Sequence, residues 1–287
     1  MTQGRSALQC ADRLLSFRTP VIMGVLNTTP DSFSDGGRFY TNGRPDLDAA
    51  FAAASAMVDA GAGIIDVGGE STRPGAEAVS QQTEMDRVLP VVERLAGSVD
   101  AIISVDTSSP ALMYEAAALG AGMLNDVRAL TREGALEAAR DTGLPVCLMH
   151  MQGSPDTMQS APRYGDVVDE VIMFLRARVT ASEAAGIPRD RLLLDPGFGF
   201  GKSVAHNLRL LAQLTRLADE GLPLLVGLSR KSLIGALIGR DVHERLPASV
   251  ALALLAVQRG ASVVRVHDVA ATADALSMWT ALETVES

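Results

Sequence analysis

Short apolar runs that end in polar residues recur along the whole chain, and this repeat constrains the fold more than any other feature. Ile64-Ile-Asp66-Val, Ile102-Ile-Ser-Val-Asp106 and Val263-Val-Arg265-Val-His267 all pass from β-branched residues into charged or polar ones. Runs of this length and composition are typical of strands that are covered on both faces. The repeat therefore predicts a chain of alternating strands and helices, with functional groups at the strand ends.

Eight such strands are predicted, at 21–26, 63–67, 102–106, 122–126, 145–150, 192–195, 222–228 and 262–266. The first helix is predicted to begin after a cap at Asp46 or Asp48 and to end at Gly61. Another is predicted to begin near 229–232, and the remaining helices are predicted over 83–95, 110–120, 167–185, 205–219, 248–258 and 270–282. Eight units indicate one (β/α)8 TIM barrel domain over residues 1–287, with 1–19 as an N-terminal tail or short hairpin that closes the barrel base. A doubly wound open sheet is the alternative, because periodicity does not show closure. In both folds ligands bind at the carboxyl ends of the strands.

Composition narrows the class of protein. The chain has 287 residues, 47% of them hydrophobic, which suffices for one large core, and a formal net charge of -9 at pH 7. That charge argues against non-specific binding to nucleic acid or anionic lipid. Cys10 and Cys147 are far apart, so neither a disulfide nor a structural zinc site is expected. Residues 1–20 hold no signal-peptide core, and the longest apolar run, 248–257, is too short to cross a bilayer. We therefore expect a cytoplasmic protein without nucleic-acid or membrane partners.

Three polar residues at strand ends suit a planar heterocycle. Asp106, Asn125 and Asp195 can together satisfy the donors and acceptors of a ring that carries an amino group and a lactam N–H, because a carboxylate accepts two such bonds side by side. The competing interpretation is that they cap helices or form a purely structural network. Three of them together at strand ends favour the ligand.

A second set of strand-end residues suits an anion. Arg265 and His267 are two residues apart and face the same side of a strand. With Asn27 from the first strand they can hold an anion directly or through a divalent cation, and sparse oxygen ligation of this kind suits Mg²⁺ bound to phosphate oxygens. Alternatively, Arg265 pairs with a core carboxylate and His267 bonds to backbone.

One glycine-rich motif does not have the spacing of a phosphate-binding loop, and one lysine leaves Schiff-base chemistry open as an alternative. Gly197-Phe-Gly-Phe-Gly201-Lys202-Ser203 resembles a Walker A motif, but Pro196 occupies the position of its first glycine. No zinc-protease or serine-hydrolase motif occurs. Lys231 is a candidate Schiff-base lysine, yet its neighbours Arg230 and Ser232 fit an anion-binding helix start equally well.

Five stretches of this sequence together resemble the dihydropteroate synthase family. In chain order they are Met23-Gly-Val-Leu-Asn27-Thr-Thr-Pro30-Asp-Ser-Phe33-Ser-Asp35-Gly-Gly37, Asp66-Val-Gly-Gly-Glu-Ser-Thr72-Arg73-Pro74-Gly75, Asp195-Pro-Gly-Phe-Gly-Phe-Gly-Lys202, Ser229-Arg-Lys231-Ser232 and Arg265-Val-His267-Asp268. The resemblance implies a transferase of folate biosynthesis, which is a sulfonamide target. It condenses a dihydropterin diphosphate with 4-aminobenzoate.

The resemblance also implies a role for each site residue. The pterin would be bound by Asp106, Asn125, Met149, Asp195, Lys231 and Arg265. The diphosphate would be held by Asn27, Arg265 and His267, with Asn27 as the protein ligand of Mg²⁺. The 4-aminobenzoate would be bound by Phe33, Thr72, Arg73, Pro74, Phe200 and Ser232. The catalytic residues would be Asp35, Arg73, Lys231, Arg265 and His267.

The expected mechanism is dissociative, in which Mg²⁺ and the cations stabilise the departing diphosphate before the amine attacks, without a protein nucleophile. The family further implies a homodimer, for which the helices between 236 and 258 offer an apolar face. Two alternatives stay open. One is a pterin-dependent methyltransferase that serves a corrinoid protein, and the other is a catalytically silent pterin-binding protein.

Overall fold

The eight predicted parallel strands close into a barrel. The computed structural model describes residues 7–29, 40–41, 44–71, 79–153, 158 and 162–286. The barrel strands are β3 (Val21–Asn27), β6 (Ile64–Gly68), β7 (Ile102–Asp106), β8 (Met123–Asp126), β9 (Val146–Met149), β10 (Leu192–Asp195), β11 (Leu224–Val226) and β12 (Ala261–Val266). They close into one sheet in the order β10-β11-β12-β3-β6-β7-β8-β9. The predicted (β/α)8 TIM barrel is thereby confirmed and the open sheet excluded.

Helices surround the barrel, and two short antiparallel pairs lie outside it. The helices are α1 (Leu47–Asp59), α2 (Gln81–Leu95), α3 (Pro110–Ala118), α4 (Ala135–Thr142), α5 (Val167–Ala184), α6 (Val204–Ala212), α7 (Thr215–Ala218), α8 (Ser232–Ile238), α9 (Leu246–Val257) and α10 (Val269–Glu286). The outer pairs are β1 (Ala7–Cys10) with β2 (Arg13–Ser16), and β4 (Tyr40–Thr41) with β5 (Arg44–Pro45). Within the described part of the chain, no helix has the length and apolarity needed to cross a membrane.

Local chemistry explains where several helices begin. The Asp46 side chain accepts a hydrogen bond from the Ala49 N–H and caps α1, so of the two predicted caps Asp46 is the one used. Ser80 caps α2 in the same way through the Thr83 N–H. Pro110 occupies the first turn of α3, where a missing N–H costs no intrahelical bond.

Two helix predictions need correction. The single helix predicted over 205–219 is two helices, because the chain tightens after Gln213. There the Leu214 N–H bonds to Leu211 O at 3.3 Å, three residues back, and both Leu214 and Leu217 become fully buried. The prediction also omitted α4, which lies between Gly134 and Gly143, both with positive φ.

The lower half of the barrel is filled by apolar side chains and closed by the β1–β2 hairpin. Leu8 and Cys10 are almost completely buried in one cluster that also contains an interior residue at the same level of each of the eight barrel strands. Those eight residues are Met23, Ile64, Ile102, Met123, Cys147, Leu193, Leu225 and Val263. The prediction of a tail or hairpin for residues 1–19 falls on this segment, and the hairpin covers the end opposite to the functional groups.

Candidate active site

The upper half of the barrel presents polar side chains at five of its eight interior positions, where the lower half presents apolar ones. Successive side chains of a strand point to opposite faces, so the residue two positions after each base residue again faces the interior. Those second interior residues are Val25, Asp66, Ser104, Asn125, Met149, Asp195, Gly227 and Arg265. Above them opens a cavity of about 670 Å³, which is the size of a small-molecule site.

Ten of the fifteen predicted site residues line this single cavity. They are Asn27, Asp106, Asn125, Met149, Asp195, Phe200, Lys231, Ser232, Arg265 and His267. The other five, Phe33, Asp35, Thr72, Arg73 and Pro74, lie outside the described residues. The structure therefore brings together every predicted site residue that it describes.

Arg265 joins two carboxylates at the centre of the cavity. Its Nε donates to Asp66 Oδ2 at 2.6 Å and its Nη2 donates to Asp106 Oδ2 at 3.2 Å. Burial lowers the pKa of Arg265, but Asp66 and Asp106 outweigh that effect and raise it. Arg265 therefore does pair with a core carboxylate, as the alternative interpretation predicted. The same side chain still reaches the cavity, where 23% of it is exposed.

The carboxylates of the cavity lie in a poorly solvated environment. Burial, followed by the negative charge of Asp66, raises the pKa of Asp106 above the usual aspartate range. Burial likewise raises the pKa of Asp195, although Lys231 and a hydrogen bond from the Gly197 N–H oppose the shift. Both groups are consequently prepared to accept hydrogen bonds or a charge partner from a ligand rather than from water.

Lys231 follows β11, the strand that pairs with the one carrying Asp195. Burial lowers the pKa of Lys231 to about 8, while Asp195 opposes the shift. The Lys231 ammonium donates to Phe198 O and lies 4.7 Å from the centre of the Phe200 ring. The Lys231 ammonium therefore lies beside Phe200, the aromatic side chain that is predicted to contact 4-aminobenzoate.

The loop that carries Lys231 is held by a second set of polar groups. Arg230 has a positive φ of 56°, an uncommon conformation for a residue other than glycine. Its guanidinium pairs with Asp268 through bonds of 2.9 and 2.5 Å, and its N–H donates to Ser249 Oγ at 2.9 Å. Arg245 donates to the Arg230 carbonyl at 3.0 Å. These contacts stabilise the turn that aims Lys231 into the cavity.

The glycines after Asp195 allow a close approach of two backbones. Gly197 has a φ of +67°, and a Cβ built there would lie 1.9 Å from His150 O. A Cβ at Gly201, with a φ of +60°, would lie 2.5 Å from Gln152 O. No other residue fits at either position without moving the backbone. The glycine pattern of this loop thus reflects packing, and the Walker A interpretation is not needed.

Lys202 lies beneath this loop and was not assigned a role from the sequence. It is 3% exposed, and its ammonium bonds to Gly197 O at 2.8 Å, Phe200 O at 3.0 Å and His150 Nδ1 at 2.9 Å. Burial lowers the pKa of Lys202 to about 7, and burial together with the Lys202 charge lowers the pKa of His150 to about 3. A neutral His150 with a free Nδ1 lone pair is the form that this contact requires.

Asp66 is the other residue whose role sequence reasoning missed. It stood among the polar strand-end residues but was left out of the site, and it is fully buried below the cavity. The signal for it was present, because Asp66 follows Ile64 by two residues and so faces the barrel interior. What the sequence does not display is the set of partners that three other strands bring to it.

The remaining predicted groups lie at the cavity rim. The His267 N–H donates to Ser229 Oγ at 3.2 Å, and the same oxygen lies 3.1 Å from His267 Nδ1.

Glu70 forms an ion pair with Arg128 at 3.2 Å, just before the segment that carries Thr72 to Pro74. In the described part of the chain no group of three or more acidic, histidine or cysteine side chains is arranged to hold a metal.

The upper interior of the barrel collects carboxylates, an amide and cations around one cavity. This arrangement is typical of enzymes that act on small molecules, and comparison with known protein families defines the class of enzyme. The family model described as "Pterin binding enzyme" matches residues 23–267 of the chain.

Relatives and solved structures then define the particular family. Dihydropteroate synthase of Escherichia coli (strain K12) is 53% identical over 262 residues, which are 91% of each protein. That of Haemophilus influenzae is 50% identical over 274 residues, 96% of this chain and 98% of the relative. A Yersinia pestis dihydropteroate synthase in a sulfonamide drug complex has a TM-score of 0.93 and 50% identity, covering 97% of this chain and 99% of that one.

A Xanthomonas albilineans dihydropteroate synthase in complex with 7,8-dihydropteroate has a TM-score of 0.86 and 50% identity, covering 96% of this chain and 98% of that one. The chain belongs to the dihydropteroate synthase family and is a transferase enzyme. The predicted family resemblance is thereby confirmed.

Proposed function

We propose that the chain condenses 6-hydroxymethyl-7,8-dihydropterin diphosphate with 4-aminobenzoate to 7,8-dihydropteroate and pyrophosphate in folate biosynthesis. One observation carries the proposal: Asp106, Asn125 and Asp195 line the same cavity as Arg265 and His267. The first three offer acceptors to a donor-rich heterocycle, and the last two offer positive charge to a diphosphate. The Xanthomonas albilineans dihydropteroate synthase has been solved with 4-aminobenzoic acid and with 7,8-dihydropteroate, which supports the same substrates.

The pterin ring fits the deeper part of the cavity. Asp195 and Asp106 accept from ring and exocyclic N–H groups, and Asn125 contributes its amide at the same level. Lys231 donates to ring oxygen or nitrogen, and Met149 supplies an apolar wall. The raised pKa values of the two aspartates agree with a site that compensates buried carboxylates by ligand hydrogen bonds.

The diphosphate is proposed to lie between Asn27, Arg265 and His267, and Mg²⁺ to be bound there. The donor set fits this ion, because Mg²⁺ retains several waters and uses few protein oxygens when phosphate oxygens are available. Asn27 would be its protein ligand. Gly68 leaves room beside it, since a Cβ at Gly68 would lie 3.8 Å from both Asn27 Oδ1 and Asp106 Oδ2. When bound, the ion would neutralise charge on the leaving diphosphate.

Catalysis is proposed to begin with departure of the diphosphate. The methylene C–O bond breaks and its oxygen keeps the electron pair, while Arg265 and His267 stabilise the charge that the diphosphate gains. Asp195 and Asp106 hold the ring over which the positive charge spreads. The amine of 4-aminobenzoate then forms the C–N bond and releases a proton to solvent. Asp35 and Arg73, which lie outside the described residues, are predicted to assist this step.

The 4-aminobenzoate is proposed to enter above the pterin, against Phe200 and Ser232 at the rim of the cavity. Phe33, Thr72, Arg73 and Pro74 are predicted to complete this subsite from the two loops outside the described residues. Sulfonamides are proposed to compete for the same place, since the Yersinia pestis dihydropteroate synthase forms a complex with a sulfonamide drug.

Coupled product analysis tests the function. The purified chain is incubated with the dihydropterin diphosphate, with and without 4-aminobenzoate, over a Mg²⁺ titration that includes a chelator arm. The proposal expects equal amounts of pyrophosphate and dihydropteroate, which cease with the chelator and return with Mg²⁺. Tight pterin binding without either product would instead favour the methyltransferase or the silent binder. If turnover were unchanged in the presence of the chelator, only the proposed requirement for Mg²⁺ would be contradicted.

A homodimer is also proposed. α8, α9 and α10 carry large exposed apolar side chains, among them Leu237, Ile238 and Met278, which are 50%, 54% and 74% exposed. Sedimentation at micromolar concentration should give a mass near twice the 30.1 kDa of the chain. A monomer under those conditions would contradict this proposal. Cytoplasmic location stays a prediction from the sequence, which cell fractionation can test.

A further inference from the structure

Asp66 is a buried carboxylate that lies below the cavity and does not line it. It occupies the middle of β6 and is fully buried. A charge in such a position is tolerated only when hydrogen-bond donors surround it. Three neighbouring side chains supply them. Ser104 Oγ donates to Oδ1 at 2.6 Å, while Asn125 Nδ2 and Arg265 Nε donate to Oδ2 at 3.1 and 2.6 Å.

These contacts determine which way the Asn125 amide points. An ionised carboxylate only accepts hydrogen bonds, so the amide must turn its NH2 group towards Asp66. The opposite orientation would place the amide oxygen against the carboxylate, with both groups electron-rich. Asn125 Oδ1 is thereby directed away from Asp66, and within the described part of the chain no donor reaches it. Because Asn125 lines the cavity, the ligand meets this oxygen as an acceptor.

Asp66 also fixes the guanidinium of Arg265. Its Oδ2 accepts from Nε while Asp106 accepts from Nη2, so two carboxylates define the plane of the guanidinium. The same carboxylate oxygen therefore contacts one residue of the pterin wall and one residue of the anion site. Neither contact uses an atom of Asp66 that a ligand can reach.

We propose that Asp66 is a positioning residue that sets the hydrogen-bond polarity of the pterin wall by orienting the Asn125 amide and holding Arg265. The inference rests on the proposed function, in which the ring in this cavity is a pterin. Such a ring presents an exocyclic amino group, which donates, beside a ring nitrogen, which accepts. This pair matches Asn125 Oδ1, which accepts, and the Asn125 N–H that does not bond to Asp66, which donates. Loss of the negative charge at residue 66 frees Asn125 to present either end.

The test is the Asp66→Asn variant, which keeps the shape of the side chain and removes its charge. Dissociation constants are measured for the dihydropterin diphosphate and for an analogue that lacks the 2-amino group. We expect the wild type to reject the analogue by about 100-fold, and the variant to reject it by less than about tenfold. The KM for 4-aminobenzoate should change less than about threefold, because Asp66 contacts neither Phe200 nor Ser232.

Ser104→Ala is the matched control. It removes one hydrogen bond from the same carboxylate, but at Oδ1, and leaves the contacts of Oδ2 with Asn125 and Arg265 in place. Its discrimination between the two ligands should equal that of the wild type. If Asp66→Asn also keeps full discrimination, or if both variants lose it equally, the proposal is overturned.

A double-mutant cycle between Asp66→Asn and Asn125→Ala keeps the test independent of folding yield. Dissociation constants are measured on the folded fraction, and we expect a non-additivity of at least about tenfold in pterin affinity. Strict additivity would overturn the proposal. Wild-type turnover is recorded alongside. Absence of dihydropteroate with wild-type protein would refute the proposed function, whereas the coupling of residues 66 and 125 is still measured through pterin binding.

Discussion

The two halves of the barrel interior are built from the same strands and have opposite chemistry. At the base, Ile64, Leu193 and Val263 belong to an apolar cluster closed by the N-terminal hairpin. Two residues further along the same strands stand Asp66, Asp195 and Arg265, of which Asp195 and Arg265 line the cavity and Asp66 lies below it. One step of the strand period therefore separates the groups that stabilise the barrel from the groups that bind the ligand.

The comparison shows how a stable fold accommodates unfavourable groups. Desolvated carboxylates and ammonium groups cost free energy, as the shifted pKa values of Asp106, Asp195 and Lys231 indicate. Side chains of the lower half bury apolar surface without polar atoms, which favours folding. Substitutions in the upper half should consequently affect turnover, and substitutions in the lower half should affect stability.

Loss of Lys231 gives the largest expected effect. Lys231→Ala removes a cation that lines the cavity and whose charge opposes the effect of burial on the Asp195 carboxylate. Turnover should fall by about 100- to 1000-fold or more, measured as kcat/KM for the dihydropterin diphosphate. The melting temperature should change little. Turnover within threefold of wild type would show that the pterin pocket is assigned to the wrong residues.

Met123→Ala tests the base with the opposite expectation. Met123 is completely buried in the apolar cluster, so its truncation leaves a cavity and should lower the free energy of unfolding by about 3 kcal/mol. Denaturant unfolding measures the loss. At a temperature where the variant is folded, kcat should remain within about twofold of wild type. A variant of normal stability but impaired turnover would break the division between the two halves.

Lys202→Met tests the support of the loop that carries Phe200. The substitution keeps an unbranched side chain but removes the ammonium that bonds to the Gly197 and Phe200 carbonyls. The KM for 4-aminobenzoate should rise about tenfold, which corresponds to about 1.4 kcal/mol, because the loop that carries Phe200 loses both carbonyl contacts. Pterin affinity should change less. Equal loss for both substrates would mean that Lys202 supports the whole cavity and not this loop alone.

The expected effect of His150→Asn is visible only as a pH dependence of stability. The pKa of His150 is lowered to about 3 in the folded protein, so below pH 6.5 the unfolded state binds a proton that the folded state does not. His150 thus costs stability as pH falls from about 6.5 towards 3, by at most about 1.4 kcal/mol per pH unit. Asparagine keeps an acceptor for Lys202 without titrating.

Denaturant titrations of both proteins between pH 7 and 5 measure this difference. The variant should lose less stability on acidification than the wild type, and its stability at pH 7 should be similar. Identical slopes would mean that His150 does not carry the proton-linked change.

The sequence predicted the barrel because its strand signal is local. The eight apolar runs, the strand-end positions of Asp106, Asn125 and Asp195, and the spacing of Arg265 and His267 are all visible within a few residues. α4 was missed because it has only eight residues and its buried face consists of three alanines, which do not form an apolar run that stands out in the sequence. The break after Gln213 was missed because burial of Leu214 and Leu217 against the barrel decides it.

The supporting groups of the site could not be predicted in the same way. Asp66 and Lys202 obtain their roles from partners on other strands or across a loop, and a single sequence does not show which strands are neighbours. The family resemblance identified residues that contact ligand through their motifs. It gave no indication of the side chains that orient them.

Leu193 and Asp195 allow the most direct test, because they lie two residues apart on one strand and both face the barrel interior. The measurement is the dissociation constant of the dihydropterin diphosphate for Leu193→Ala and for Asp195→Asn. We predict that Leu193→Ala, although less stable by about 3 kcal/mol, binds within about threefold of wild type. Asp195→Asn should keep its stability and bind at least about 100-fold more weakly. Equal losses of affinity in the two variants, or a loss confined to Leu193→Ala, would contradict the division of the barrel into a stabilising base and a binding upper half.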